Sequence, residues 1–302
     1  MTISTLTPSR QQFVQDVNNV IQEINTDTLN ISSGIDIRNL SDQPDEVSPL
    51  LEARAQLSAA QQVATNLGSY TTEVQTADQS ISSAIQLFDQ VQTLAAEGAT
   101  GTQTASTRAQ LATQLQSIEQ QMVGLANTQV NGRYIFAGDA DQTQPYTFDP
   151  TQPDPVSAYQ GSSSTRVAMA ADGTTFPVAL TAQQIFDSPD SSTNMFTAIN
   201  NLATALNNND QAGVAAAANG LSGVASYMNE QLAFYGNAES NLSDASDAAQ
   251  TRITQLQTQI SGLEDTNMTA AITDMTQAQI QEQAALGSEA QIPRQTLFDY
   301  LA

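Results

Sequence analysis

The sequence predicts a mainly α fold with a β-rich insertion: a long antiparallel helical bundle or coiled coil formed by both chain termini, carrying a small outer β domain. Three observations carry that prediction. Near both ends, apolar residues recur at steps of three and four, the spacing of a helical seam. The centre instead breaks into short β-branched and aromatic runs cut by Gly and Pro. Charged residues make up only 13% of the 302, and Gln, Asn, Ser, Thr and Ala fill the surplus. Helix faces of that kind can pack against identical copies without a large cost of ion desolvation.

In chain order, Phe13, Val17, Val20 and Ile24 open the first helical pattern. From Leu67 the apolar positions run through Tyr70, Val74, Ala77, Ile81, Ala84 and Phe88 to Val91, a heptad seam. Leu111, Leu115, Ile118, Met122 and Leu125 form a second seam, and Gly98 to Gly101 predicts the turn between two antiparallel helices. Four runs read as short strands: Tyr134 to Phe136, Tyr146 to Phe148, Arg166 to Met169 and Phe176 to Leu180. Beyond them, Met195, Phe196, Ile199, Leu202 and Leu206 predict a short amphipathic helix. Leu221, Val224, Met228, Leu232 and Tyr235 begin a long one that continues through Ile253, Leu256, Ile260 and Leu263. The seam changes phase at Met268, Ile272 and Met275, which predicts a stutter or a break between packing layers. These patterns divide the chain into three domains. Residues 1–40 with 265–302 are expected to form a terminal coiled-coil domain, 41–133 with 190–264 a helical domain, and 134–189 a β-rich one; the family resemblance given below implies that these are an inner assembly domain, a rod and an outer domain.

Composition removes most chemistry. The chain has no Cys, His or Trp, and its eight basic residues are all Arg. Ser-His-Asp and Cys-His triads, thiolate nucleophiles, Schiff bases and the nitrogen or sulfur ligands favoured by zinc are therefore absent. A two-carboxylate glycosidase survives on paper, but such sites are normally lined by sugar-stacking aromatics, and aromatic residues are only 5% here. Asp139 and Asp141 suggest the start of a calcium loop, yet EF-hand spacing then requires Gly and Glu where Gln144 and Pro150 stand. We therefore expect no enzyme, no cofactor and no metal. A net charge of -23 argues against nucleic-acid partners and anionic membrane surfaces. No run approaches the ~20 apolar residues of a membrane span. Met1 to Phe13 is polar, so no cleaved secretory signal is expected. The methionines on apolar faces, Met195 and Met228 among them, read as packing residues.

Two motifs at opposite ends carry a family resemblance. Ile31-Ser-Ser-Gly34-Ile-Asp-Ile-Arg38-Asn39-Leu-Ser41-Asp42-Gln43-Pro44 is similar to the Leu-Ser-Thr-Gly stretch and Asn-x-x-Ser-Asp-Asp-Pro turn of the flagellin-like axial proteins of bacterial flagella. Gln43 replaces the second Asp of that turn, and Asp36 stands where a basic residue is common. Physically, Gly34 and Pro44 bracket a turn in which Ser41 or Asp42 can cap the next helix. The C-terminus resembles the same family from Arg252 through Leu263-Glu-Asp265 and Met268 to Met275, then Ala285-Leu286, and finally Leu297-Phe-Asp-Tyr300-Leu301. Between them, Asn131-Gly132-Arg133-Tyr134-Ile135-Phe136-Ala137-Gly138 looks more like the hook-filament junction members of the family than like filament flagellin. The spacing alone reads these letters as a helix exit at Gly132 followed by a strand.

The resemblance implies a structural component that joins hook to filament by self-assembly through its terminal helices. A divergent filament flagellin is the alternative, and a secreted adhesin or glycosidase the reading from another class. It further implies an extracellular location on the flagellum, type III export without signal cleavage, and an export chaperone. The implied partners are further copies in a ring and neighbouring axial proteins, namely another hook-associated protein and flagellin. The expected assembly seams are Phe13, Val17, Val20 and Ile24 at one end, and Met268, Ile272, Met275, Leu286, Leu297 and Tyr300 at the other.

Overall fold

The computed structural model describes residues 8–38 and 43–290. Helices dominate it: α1 (Pro8–Ser33), α2 (Pro44–Gly98), α3 (Ala105–Ala126), α4 (Ala182–Phe186), α5 (Met195–Asn207), α6 (Gln211–Glu264) and α7 (Met268–Ala290). Four short strands, β1 (Gln129–Val130), β2 (Arg133–Tyr134), β3 (Val167–Met169) and β4 (Thr175–Pro177), form two antiparallel ribbons, β1 with β2 and β3 with β4. The chain makes two compact units, Met1–Ser58 with Thr254–Ala302, and Ala59–Ile253. Both α2 and α6 run on from one unit into the other.

In the unit made by the chain ends, α1 and α7 pack as an antiparallel pair. Gly34, at φ 72°, ends α1 in the left-handed conformation and donates its N–H to the Asn30 carbonyl at 2.8 Å. The chain then exchanges backbone hydrogen bonds with the break between α6 and α7. Asp36 donates to Glu264 O at 2.7 Å and Thr266 donates to Gly34 O at 2.9 Å. The phase shift seen in the sequence is this break: α6 stops at Glu264, and Asn267 restarts the helix by accepting the Ala270 N–H at 3.2 Å. Across the unit, Arg54 reaches Glu264 at 2.6 Å.

The second unit is a helical rod segment with the β ribbons folded onto it. The predicted seams of α2 and α3 and the apolar faces of α5 and α6 share one core, including Leu67, Phe88, Leu115, Met122, Leu202 and Tyr235. Thr104 caps α3, and Arg108 in its first turn is buried. Its guanidinium donates to Gly98 O at 3.1 Å, Thr100 O at 3.0 Å and Asn209 Oδ1 at 2.6 Å. One cation thus ties the α2–α3 turn to the α5–α6 turn, and four helix ends meet there.

Two local expectations are corrected. Gly132 is not a helix exit: α3 ends at Ala126 with Asn127 as its cap residue. Asn131 and Gly132, at φ 52° and 76°, form the two-residue turn between β1 and β2, where Val130 pairs with Arg133. Both central residues of such a turn need positive φ, and Asn-Gly supplies it at low cost. Tyr146 to Phe148 forms no strand either; its one ladder contact is the bridge Phe148 to Val156. The Asn127 side chain takes the place of a partner strand, donating to Tyr146 O at 2.8 Å and accepting its N–H at 3.0 Å.

Candidate assembly interface

The terminal pair shows two kinds of apolar residue. On α1 the half-buried positions include Phe13, Val17, Val20, Ile24, Asp27 and Ile31, at heptad steps, and on α7 Met275 and Ala285 share that state while Ala271 and Ala278 are buried. The antiparallel pair closes over these positions, and Thr28 Oγ1 lies 3.7 Å from Met275 Sδ. Met268, Ile272 and Leu286 remain exposed, at 43%, 47% and 52%. Leu297 and Tyr300 lie outside the described residues, as do Asn39, Ser41 and Asp42.

A second apolar row on α1 lies outside the predicted seam. Val14, Ile21 and Leu29 are exposed, and so is Ile280 on α7, at 62%. Its sequence signal is the seven-residue step from Val14 to Ile21, which runs one position behind that of Phe13 and Val20. The helix pair therefore buries one seam and displays others.

Polar groups punctuate the buried seam. Asp27 loses one carboxylate oxygen to burial without a hydrogen-bond partner. Desolvation, then the neighbouring Asp274 and Asp36, push its pKa up. At the end of α1, Asn30 is buried, donates to Asp36 Oδ1 at 2.9 Å and accepts from Arg38 at 2.7 Å; Gln43 donates to the other Asp36 oxygen at 2.5 Å. Asp36, where the family usually has a basic residue, is thus the acceptor that organises this turn beside Gly34. Pro44 begins α2, whose first turn carries Asp45 and Glu46.

The motif around Arg133 is built as an anchor. Glu73 of α2 is buried and holds two cations, Arg133 at 2.7 Å and Arg166 at 2.6 Å. Arg166 also donates to Ile135 O at 3.1 Å, and Arg133 reaches Asp141 at 3.5 Å. Tyr134 pairs with Gln129 across the β ribbon and donates its N–H to Asp141 O. Phe136 is fully buried, with its ring edge-on to Phe186 and Tyr235 at 6.0 and 6.5 Å. Its carbonyl accepts from Tyr159 Oη at 3.0 Å and Ala182 N at 2.8 Å. Gly138, at φ 62°, passes so close to the carbonyls of Ser162 and Ser164 that no Cβ fits. Arg133, Phe136 and Gly138 thus tie the motif to α2, to α6 and to the Ser162–Ser164 backbone, while Asn131 and Gly132 make the turn.

Among the described residues, no group of three or more Asp, Glu, His or Cys side chains is placed to hold a metal ion. No described helix is long and apolar enough to cross a membrane.

A helix pair made by the two chain ends and a helical bundle with small β ribbons folded onto it define a mainly helical protein of the kind built from paired N- and C-terminal regions. The profile of the bacterial flagellin N-terminal helical region matches residues 3–141, and that of the bacterial flagellin C-terminal helical region matches residues 220–301. Between them they take in well over half of the chain, which belongs to the flagellin-like family. Solved structures of similar fold include a Vibrio parahaemolyticus protein described as flagellar hook-associated, with 22% identity and a TM-score of 0.65, covering 74% of this chain and 100% of that one. Xanthomonas campestris FlgL has 17% identity and a TM-score of 0.59, covering 69% and 99%. Flagellar hook-associated protein 3 of Legionella pneumophila has 12% identity and a TM-score of 0.61, covering 70% and 98%. No curated protein matches the chain significantly.

Proposed function

We propose that this protein is a structural component of the bacterial flagellum that joins hook to filament. The observation that carries the reading is the combination of flagellin-type ends with a fold shared by a protein described as flagellar hook-associated, by FlgL and by a flagellar hook-associated protein 3. In this reading the subunit leaves the cell by type III export with its N-terminus intact, guarded by a chaperone, and assembles as a ring between another hook-associated protein and flagellin. Its role is mechanical and it has no catalytic activity. Residues 1–40 and 265–302 form the inner assembly domain, 41–133 and 190–264 the rod, and 134–189 the outer domain. Phe13, Val17, Val20, Ile24 and Met275 hold the terminal pair together; Met268, Ile272 and Leu286, with Leu297 and Tyr300, supply contacts to neighbours.

The match to flagellin's own terminal regions favours a second reading, a divergent filament subunit. Immunogold labelling of isolated flagella separates the two. A narrow band at the distal end of the hook supports the junction; label along the whole filament supports the alternative. A deletion strain gives the same distinction: loss of a junction subunit leaves hooks and releases unpolymerised flagellin, whereas loss of the filament subunit releases none.

A further inference from the structure

The rod segment carries a charge-free face that is hard to explain in a chain of net charge -23. Between Gly98 and Gly132 only Arg108 and Glu119 are charged, and both are buried, at 5% and 1% exposure. The whole solvent side of α3 is thus Gln, Ser, Thr, Ala and Gly. A groove runs between this helix and α2, with half-buried Leu87, Leu94 and Leu125 in it and Gln90 and Gln121 on its walls. Asp89 of α2 is exposed but is not among the groove residues.

A second groove lies between α5 and α6. From Met195 to Asn229 the one charged residue is Asp210, whose carboxylate accepts the Gly213 N–H at 3.0 Å at the start of α6. Asn201, Ala205 and Ala217 line this groove, and Asp210 lines it at the end where α6 begins. Within the unit, α3 packs on α5, and α2 and α6 share its core. Going round the bundle the order is α2, α3, α5, α6, so the two grooves lie on opposite edges.

We propose that these opposite edges are the lateral contact between neighbouring copies, the α2–α3 groove of one meeting the α5–α6 edge of the next. The occupant follows from charge. A cationic partner is drawn to the acidic faces elsewhere, whereas a copy equally rich in carboxylates can approach closely only where both surfaces carry few; Asp210, held by the Gly213 N–H, is the one carboxylate lining either groove. Two different patches on opposite edges make a heterologous contact, which closes into a ring when the rotation permits. Glutamine and asparagine amides supply both donors and acceptors across such a seam. The inference rests on the ring-forming role proposed above and names the surface through which the ring is made.

Because the chain has no cysteine, disulfide trapping is free of background. The exposed residues Gln121 and Asn201 are replaced singly and together in the full chain, as Gln121→Cys and Asn201→Cys, and isolated flagella are oxidised. The double variant is expected to give a ladder of covalent multimers, and each single variant only monomer. Circular dichroism of the purified chains confirms an unchanged helix content. A double variant that stays monomeric in flagella still labelled at the hook end overturns this contact while leaving the junction reading intact. A covalent dimer from Gln121→Cys alone overturns it too, by showing like faces together. Absence of the protein from flagella overturns the junction reading instead, and oxidation of the concentrated purified double variant then decides the contact: a ladder supports it and monomer rejects it.

Discussion

Arg166 binds the buried Glu73 carboxylate at 2.6 Å across 93 residues of sequence, and Arg133 takes the other oxygen at 2.7 Å. Two cations, one from β2 and one just before β3, thus converge on one anion of α2. Glu73→Ala leaves Arg166, whose side chain is 14% exposed, without its counter-ion. Breaking a buried pair from one side costs about 3 kcal/mol. Urea unfolding is expected to show that loss, with Arg133→Ala costing less because Arg133 is 43% exposed.

Glu119 sets a pH dependence. Both carboxylate oxygens are buried without a hydrogen-bond partner, and desolvation, then Asp154, push the pKa from 4.5 up to about 7. The folded state binds this proton more tightly than the unfolded chain. Its stability contribution is complete below about pH 4.5, falls as pH rises to about 7, and is flat above. Glu119→Gln removes the titration. Relative to that variant, the wild type is expected to lose about 3 kcal/mol between pH 4.5 and 7.5. Parallel stability-pH curves for the two proteins contradict this account.

Much of this architecture was legible because its information is local. The seam from Leu67 to Val91 and that from Leu111 to Leu125 repeat over several turns, and apart from the half-buried Tyr70 and Leu125 both are buried as their spacing predicts. The break before Met268 was visible as a phase change for the same reason. The failures were of two kinds. Asn131-Gly132 carries a hairpin signal, but the flanking strands are two residues each, too short for alternation to outweigh the preceding helix pattern. Glu73, Arg133 and Arg166 form a site only in three dimensions, because nothing in sequence links a mid-helix Glu to an Arg 93 positions away. The exposed row of Val14 and Ile21 was readable in principle. It was masked by the stronger seam one position earlier, since Phe13 and Val20 share its seven-residue step.

Gly138 and Gly132 offer a paired test of what the motif's glycines do. Both have positive φ, 62° and 76°. A Cβ at Gly132 meets open space, whereas one at Gly138 drives into the Ser162 and Ser164 carbonyls. Gly132→Ala is expected to cost about 1 kcal/mol, the conformational penalty alone. Gly138→Ala adds displacement of backbone that also carries the Ser162 N to Ala137 O hydrogen bond. A total of about 3 kcal/mol is expected. Thermal unfolding of the two variants should therefore rank Gly138→Ala well below Gly132→Ala. Equal losses contradict the close-approach account.

If the exposed apolar rows of the terminal pair serve the proposed assembly, substitutions there separate folding from assembly. Ile280 is 62% exposed and Val14 48%, so neither contributes much to the isolated chain. Ile280→Asp and Val14→Asp are expected to change monomer stability by no more than about 0.5 kcal/mol. In an assembled contact each side chain becomes buried, where its transfer from water is worth about 2 kcal/mol per subunit. An aspartate there forfeits that gain and adds the cost of desolvating a charge. Repeated around an assembly, the penalty compounds at every contact, so incorporation into flagella should collapse while the monomer melts normally. Val20→Asp should do the opposite in isolation, loosening α1 from α7 and exposing both to protease in the monomer, because Val20 lies in the half-buried seam of that pair. Stability loss in the Ile280 and Val14 variants, with incorporation preserved, contradicts the division between the two rows.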